Sequence, residues 1–288
     1  MQTADSPLTR LMGWGRDLVR GLLRTNADPA MPTRWSTSLS DNESYPQACL
    51  RASYDYRHFN RFRIDPSYNQ ILESLSRDEG ARYAELVAGD AEVLSAMPLL
   101  KANDDYGSPQ LFDYPVVGRV SPTTLRYASV LIDLKRHFGS LNGLSVCEIG
   151  VGYGGQCRMA STFFRPATYC LVDIQPALAL AQRYLDHYVL HSVIAFKTLN
   201  ELPRTPFDLV MSNYAFSELR REVQDVYMER VLTLARRGYI TYNEISPAEF
   251  NSYSAAELKV MLLGARVLPE MPLTHPGNCV IVWGQLGP

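Results

Sequence analysis

The sequence lacks long apolar runs, paired cysteines and a surplus of basic charge. No stretch approaches the roughly eighteen apolar residues that a membrane-spanning helix needs, so we predict no membrane span. The 28 lysines and arginines are balanced by 30 acidic residues, and the formal net charge of -2 gives a nucleic-acid partner no electrostatic support. None of the five cysteines forms a Cys-x-x-Cys pair, so we predict reduced thiols in a cytoplasmic protein.

The chain is long enough for one large or two modest domains, with 288 residues of which 46% are hydrophobic. Its character changes near Val116. Before this point the sequence predicts helices joined by turns, and after it short β-branched runs alternate with helical periodicity. We therefore predict an N-terminal helical segment over residues 1–115, acting as a lid or substrate platform, and a core domain over residues 116–288.

The first 25 residues contain apolar residues at helical spacing with arginines between them, from Leu11 to Arg24. A helix at a membrane surface would have this pattern. A helix that packs on its own domain or on a partner chain has it as well, and we favour this second interpretation.

Five parallel strands are predicted in the second segment, with the sequences LSVCEIG, TYCLVDI, VIAFKTL, FDLVMSN and GYITYNE. Helices are predicted between them, the clearest over residues 217–236, and the runs ARVLPEM and NCVIVWG form a candidate antiparallel pair at the end. The predicted fold class is therefore α/β, with a mostly parallel seven-stranded, Rossmann-like sheet that ends in an antiparallel hairpin. A dinucleotide-binding domain would continue instead with another parallel half.

A glycine-rich run, CEIGVGYGG, follows the first of these strands. Its glycines fit both the G-x-G-x-x-G pattern of dinucleotide-binding proteins and the E-x-G-x-G-x-G loop of S-adenosylmethionine (SAM) methyltransferases. Glu148 decides between them, because its charge repels a pyrophosphate and attracts the ammonium and sulfonium groups of SAM. We predict that the loop binds SAM through Glu148, Gly150, Gly152, Tyr153 and Gly154.

Two other strand ends complete the predicted cofactor site. Asp173 lies at the end of the second strand, 21 residues after Gly152, where a carboxylate can accept hydrogen bonds from a ribose diol, and Ile174 follows it. Asn213 and Tyr214 follow the fourth strand in FDLVMSNYAFSEL. We predict that Asn213 positions the cofactor and that Tyr214 contacts the substrate.

These runs resemble those of the bacterial sugar O-methyltransferase family found among antibiotic and surface-polysaccharide genes. The resemblance covers residues 101–284 and rests on LSVCEIGVGYGGQCRMAS, YCLVDIQPALALAQRYL and FDLVMSNYAFSEL, with NDDYGSP and SPTTLRYAS upstream. It implies the class I methyltransferase fold, SAM as cofactor and methyl transfer to a sugar hydroxyl. One departure is that Gln175-Pro176 follows Asp173-Ile174, where such sequences often have Leu-Pro-Glu after the aspartate.

Methyl transfer to a hydroxyl needs a base for the proton that leaves the acceptor. The candidates are Glu218, five residues after Asn213, Glu244, at the end of the fifth strand, and His275, in the turn LTHPGN between the last two strands. Each carboxylate is equally compatible with an ordinary solvated residue or a helix N-terminal acid, and His275 with a plain turn residue.

Substrate contacts are predicted upstream of the glycine loop, from Tyr106 and from Thr124, Arg126 and Tyr127 of SPTTLRY. The alternative is a capped helix start with Ser121 as the capping residue and Pro122 at the first helical position. We assign no residue as a metal ligand. Asp104 and Asp105 are the single metal hypothesis that we keep, against an Asx-type turn.

The sequence thus predicts a cytoplasmic SAM-dependent methyltransferase that acts on a hydroxyl of a small metabolite, a sugar or glycosylated natural product. N-methylation of a small amine or amino acid is the enzymatic alternative, and a non-catalytic partner protein with the same fold is a further one. The predicted partner is a small-molecule acceptor, without nucleic acid, and a homodimer is left open.

Overall fold

The computed structural model describes Ser38 and residues 43–284. The amphipathic pattern predicted between Leu11 and Arg24 lies outside these residues. In the described part of the chain, none of the helices is both long and apolar enough to cross a membrane.

A seven-stranded mixed sheet forms the centre of the fold, in the order β5-β4-β3-β6-β7-β9-β8. Strands β3 to β7 are parallel, whereas β9 runs antiparallel to both β7 and β8. Their bounds are β3 Ser145–Ile149, β4 Thr168–Val172, β5 Val193–Lys197, β6 Leu209–Asn213, β7 Gly238–Tyr242, β8 Arg266–Pro269 and β9 Cys279–Trp283. All seven predicted strands are confirmed, and the order with its terminal hairpin is that of the class I methyltransferase fold.

A small antiparallel hairpin of β1 (Phe112–Tyr114) and β2 (Gly118–Val120) precedes the sheet and was not predicted. Each of its strands has three residues, too short for a period-2 pattern to be recognised. It leads directly into the helix that begins at Pro122.

Ten α-helices are described. They are α1 Ser44–Tyr54, α2 Tyr56–Phe59, α3 Pro66–Leu72, α4 Arg77–Ala88, α5 Ala91–Leu100, α6 Pro122–Phe138, α7 Gly155–Phe163, α8 Gln175–Leu185, α9 Arg221–Tyr227 and α10 Ala255–Met261. Short 3-10 turns cover Phe62–Ile64, Lys101–Asp104, Leu199–Glu201, Ala215–Glu218 and Ala248–Phe250.

The single long helix predicted over residues 217–236 is wrong. The chain makes a 3-10 turn over Ala215–Glu218, becomes extended at Leu219 and Arg220, and only then enters α9. A π-helical turn follows over Met228–Leu232. The helix was predicted from the spacing of apolar residues in this region, but a spacing of three to five residues is compatible with 3-10, α and π turns alike.

Both faces of the sheet are covered, and residues of each strand alternate between the two sides. Val146 and Tyr169 belong to one buried cluster, which also contains side chains of α1, α4 and α5, while Cys147 and Cys170 belong to the other. Parallel strands buried on both faces have near-continuous apolar sequences, which is why they were predictable. The domain boundary between residues 115 and 116 stays a prediction.

Candidate active site

A cavity of about 840 Å³ opens at the carboxyl ends of the parallel strands. The residues that follow β3 to β7 all line it, namely Gly150, Asp173, Thr198, Tyr214 and Asn243. Ligands bind at this edge of open parallel sheets, and the volume lies within the range of small-molecule sites.

Glycine is required at two positions of the loop after β3. Gly150 and Gly152 have φ values of 76° and 54°, in the left-handed region that other residues rarely adopt. A Cβ atom on Gly150 would collide with the side chain of Ala215, and one on Gly152 would come within 2.6 Å of Leu72 Cδ1. The loop backbone therefore passes close to the turn after β6 and to the end of α3.

Glu148 is a buried acid beside this loop. Its side chain lines the cavity although the residue is only 2% exposed, and the Tyr169 hydroxyl donates a hydrogen bond of 2.6 Å to Oε2. Burial raises the pKa of Glu148 to about 8, with a small contribution from the charge of Asp173, while the Tyr169 hydrogen bond opposes the shift. A cationic ligand group next to this carboxyl would restore its charged form.

Asp173 holds the glycine loop in place as well as lining the cavity. Its Oδ2 accepts hydrogen bonds from the backbone N–H of Val151 at 2.7 Å and of Gly152 at 3.2 Å, and its Oδ1 accepts one from Ile174 N–H at 2.7 Å. Three backbone donors therefore anchor this carboxylate, and the residue also lines the cavity. Removing the carboxylate would disturb the loop and any ligand contact together.

Tyr214 occupies a strained position at the end of β6. Its φ of 65° is uncommon for a bulky residue and is held by a hydrogen bond from its N–H to Thr241 O at 2.8 Å. The hydroxyl donates to Oε1 of the buried Glu270, whose Oε2 accepts from both the N–H and the hydroxyl of Thr274. Glu270 thus ties the end of β6 to the β8–β9 connection, a role that the sequence did not indicate.

Asn213, next to Tyr214, also faces the cavity. Its Oδ1 accepts a hydrogen bond of 3.2 Å from Thr241 Oγ1, and its amide nitrogen is buried without a partner among residues 43–284 and Ser38. An unsatisfied buried donor costs about 1–3 kcal/mol, so a polar ligand group or water is expected here.

Glu218, one of the three candidate bases, lines the cavity. It lies in the 3-10 turn after β6, and its Oε1 accepts a 2.7 Å hydrogen bond from the amide of Asn243. Burial raises its pKa above the ordinary value, while Asn243 and the charge of Arg126 oppose the shift. A carboxylate with a raised pKa is a stronger proton acceptor, which suits general-base catalysis.

The other two candidate bases differ in position. His275 lines the cavity from an exposed place in the β8–β9 connection. Glu244 is exposed and does not line the cavity, although its neighbours Asn243 and Ile245 both do.

Four more predicted residues lie outside the cavity lining. Thr124 donates to Asp104 at 2.7 Å, Tyr106 packs on His187 with ring centres 4.2 Å apart, and Tyr153 is buried below the loop, where it accepts from Asn103. Gly154 faces Leu185 instead of the cavity. Tyr127 and Arg126 do line it, as do Ile174, Asn213 and Tyr214.

Asp104 has a structural role. One of its oxygens accepts from Arg63, Ser121 and Thr124, and the other accepts from Ser121 N–H at 2.8 Å. Ser121 caps α6 with Pro122 at the first helical position, as the alternative interpretation predicted. No cluster of three potential metal ligands occurs in the described ranges.

Part of the cavity lining comes from the N-terminal segment, for which the sequence predicted a lid or substrate platform without indicating particular residues there. The lining residues at and after the end of α3 are Gln70, Ile71, Leu72, Ser74 and Leu75, and the side chain of Leu72 lies next to Gly152. Other missed lining residues are Gln175, Asn200, Val223, Tyr227 and Asn243. A polar residue directly after each predicted parallel strand was the available signal for Thr198 and Asn243.

No family model matches the sequence, and no curated protein matches it. Among solved structures, magnesium protoporphyrin IX methyltransferase from Synechocystis PCC 6803, with bound SAM, is similar over 55% of this chain and 74% of its own, with 18% identity and a TM-score of 0.41. An O-methyltransferase family protein from Burkholderia thailandensis covers 56% of each chain, with 12% identity and a TM-score of 0.41.

Phosphoethanolamine N-methyltransferase 2 from Haemonchus contortus, in complex with SAM, is similar over 50% of this chain and 39% of its own, with 19% identity and a TM-score of 0.39. These similarities are distant. The assignment of the fold therefore rests on the strand order and directions described above.

Proposed function

We propose that the protein is a SAM-dependent methyltransferase that methylates a hydroxyl of a small metabolite, a sugar or a glycosylated natural product. The observation that carries the proposal is Glu148, a buried carboxyl that faces the cavity beside a glycine loop and has a raised pKa. A ligand with a pyrophosphate would place negative charge beside it, whereas the ammonium and sulfonium of SAM would compensate its burial.

The residues around the cavity fit this cofactor. Glu148 would bind the cationic end and Asp173 the ribose hydroxyls, while Ile174, Leu199 and Val223 supply apolar contacts for the adenine ring. SAM supplies an activated methyl group when bound. The protein must then align the acceptor in line with that group and receive its proton.

Glu218 is the proposed base. It lines the cavity, its pKa is raised by burial, and Asn243 fixes the orientation of its carboxylate. For an amine acceptor the same carboxylate would bind the cationic substrate, so N-methylation stays the alternative. A screen of hydroxyl and amine acceptors for S-adenosylhomocysteine (SAH) formation separates the two.

The cofactor assignment is tested by titration calorimetry with SAH, which keeps the ammonium group of SAM. We expect the wild type to bind SAH, and Glu148→Gln to weaken binding by about tenfold or more, since a charge-assisted contact is lost. Glu244→Gln is the matched control and should bind as the wild type does. Binding of NAD in place of SAH, or unchanged affinity in Glu148→Gln, would overturn the assignment.

A further inference from the structure

Arg126 is a cation of the cavity wall that no carboxylate neutralises. Its side chain lines the cavity from the first turns of α6. One N–H, on Nη2, donates to Leu72 O at 3.2 Å, and the guanidinium forms no ion pair with any residue that the structure describes. The remaining N–H groups have no protein partner there either.

Arg63 is an arginine of the same protein that has a structural role and differs from Arg126 in its partners. Arg63 is fully buried and donates to both oxygens of Glu73, to Asp104 and to Ser121. Two carboxylates therefore compensate its charge. Arg126 lies close enough to Glu73 to influence its pKa, but Glu73 is already bonded to Arg63 and Thr123.

Two aromatic rings lie beside the guanidinium of Arg126, a partly buried residue of the cavity lining. The guanidinium carbon lies 5.8 Å from the ring centre of Tyr127 and 5.9 Å from that of Tyr214. Rings stabilise a cation only modestly. A partly buried guanidinium with open N–H groups is therefore matched to an oxyanion, which it can bind in a bidentate manner.

The position of Arg126 favours the acceptor over the cofactor as the source of this oxyanion. Its guanidinium lies beside the ring of Tyr214, at the proposed acceptor end, and its charge opposes the rise in the pKa of Glu218 there.

We propose that the acceptor carries a carboxylate or phosphate group and that Arg126 binds it. The inference rests on the proposed function and narrows its substrate class to anionic hydroxylated metabolites, such as a sugar acid or a sugar phosphate. Neutral sugars would leave the guanidinium without a counterion in the closed site.

The test compares three probes that differ in charge: D-glucuronate, D-glucose 1-phosphate and D-glucose. Their binding to the wild-type protein is measured by calorimetry, with and without saturating SAH. We expect at least one of the anions to bind tenfold or more tightly than glucose. The preference should vanish in Arg126→Met, persist in part in Arg126→Lys, and stay unchanged in Arg119→Met, which removes an exposed arginine that does not line the cavity.

Three results would overturn the proposal. The wild type could show no preference for either anion, or Arg126→Met could retain the preference. Arg126→Met could also weaken SAH tenfold while leaving 5′-methylthioadenosine, which lacks the amino acid part, unaffected; the cofactor carboxylate would then be the anion that Arg126 binds. If Arg126→Met does not fold, as judged by its thermal transition, a full wild-type preference in Arg126→Gln decides against the proposal.

Failure of the proposed function is a separate outcome. A wild-type protein that does not bind SAH would remove the cofactor assignment. The anion comparison without SAH would still measure whether Arg126 binds an oxyanion.

Discussion

At the residue scale, Glu148 links ligand binding to pH. In the ligand-free protein its pKa is raised to about 8, so the carboxyl is largely protonated at neutral pH. A cationic ligand stabilises the carboxylate and lowers this pKa, so binding releases a proton. Binding should therefore strengthen as the pH rises towards 8 and level off above it.

We expect the affinity for SAH to increase between pH 6 and pH 8, approaching tenfold per pH unit. Calorimetry at three pH values, in two buffers of different ionisation enthalpy, measures both the affinity and the released proton. Glu148→Gln should show a flat profile. A wild-type profile with the same slope as that of Glu148→Gln would contradict the prediction.

The same group affects the stability of the ligand-free protein in the opposite direction. Because the folded-state pKa of Glu148 is raised, its stabilising contribution is complete below the unfolded-state value of about 4.5 and is lost as the pH rises to about 8. The free energy of unfolding of the wild type should therefore fall relative to that of Glu148→Gln across this window. Urea unfolding of both proteins measures the difference.

The cavity residues next to the glycine loop could be predicted because each belongs to a local sequence pattern. Glu148 and Asp173 lie at fixed distances from the glycines. Arg126 and Tyr127 were found from their motif, but the open guanidinium of Arg126 depends on which carboxylates have other partners. Glu270 was not predicted. Its hydrogen bond with Tyr214 joins residues 56 positions apart in the sequence, and its bond with Thr274 lies in a turn that no sequence pattern specifies.

At the element scale, the connections after β6 and β7 decide which carboxylate reaches the cavity. The 3-10 turn Ala215–Glu218 turns back across the strand end, and Ser217 Oγ donates to Tyr214 O at 2.6 Å, which fixes it there. After β7, Asn243 and Ile245 line the cavity, whereas Glu244 between them is exposed and does not. A sequence places both acids after parallel strands but does not give the direction of either turn.

Glu218→Gln should therefore lower kcat by about 10²- to 10⁴-fold, the usual contribution of a general base. The affinity for SAH should stay within twofold, because Glu148 and Asp173, and not Glu218, are the proposed cofactor contacts. Glu244→Gln should retain wild-type kcat. Steady-state rates with the acceptor from the screen, together with SAH calorimetry, measure both effects; equal kcat values in the two variants would exclude Glu218 as the base.

Strands were predicted better than helices for a physical reason. The parallel strands β3, β4, β6 and β7 are buried on both faces, and each is an apolar run of about five residues bounded by turn residues. The region after β6 changes from a 3-10 turn to α9 and then to a π turn. These helix types differ in the spacing of their backbone hydrogen bonds, which the spacing of apolar residues does not reveal.

At the scale of the whole molecule, the helices before residue 115 share a buried cluster with the sheet. Tyr83, Val93 and Leu100 belong to the same cluster as Leu125 and Tyr169. Arg63 further connects this region to the start of α6 through Ser121. Apolar burial of this extent is the main contribution to the stability of a domain.

We expect a fragment of residues 116–288 to lose cooperative unfolding and SAH binding, because the deletion exposes the apolar side chains that α1, α4 and α5 cover. Circular dichroism during urea unfolding and SAH calorimetry measure the two properties against the full chain. A fragment with a sharp transition and wild-type affinity would instead establish residue 116 as the start of an autonomous domain. The sequence pattern could not decide whether residues 116–288 fold alone, because the apolar burial that the two segments share depends on contacts between residues far apart in the sequence.

The two walls of the cavity belong to different stretches of the chain. One wall consists of the five strand ends, whose backbone is fixed by the sheet, and the other is formed by residues 70–75, which contribute side chains without belonging to any strand. Substitutions at Gln70, Ile71, Ser74 or Leu75 would accordingly reshape the space for acceptors while leaving the sheet register intact. We therefore expect that such substitutions, whether engineered or acquired in related proteins, change which acceptors are bound without an equal loss of cofactor affinity.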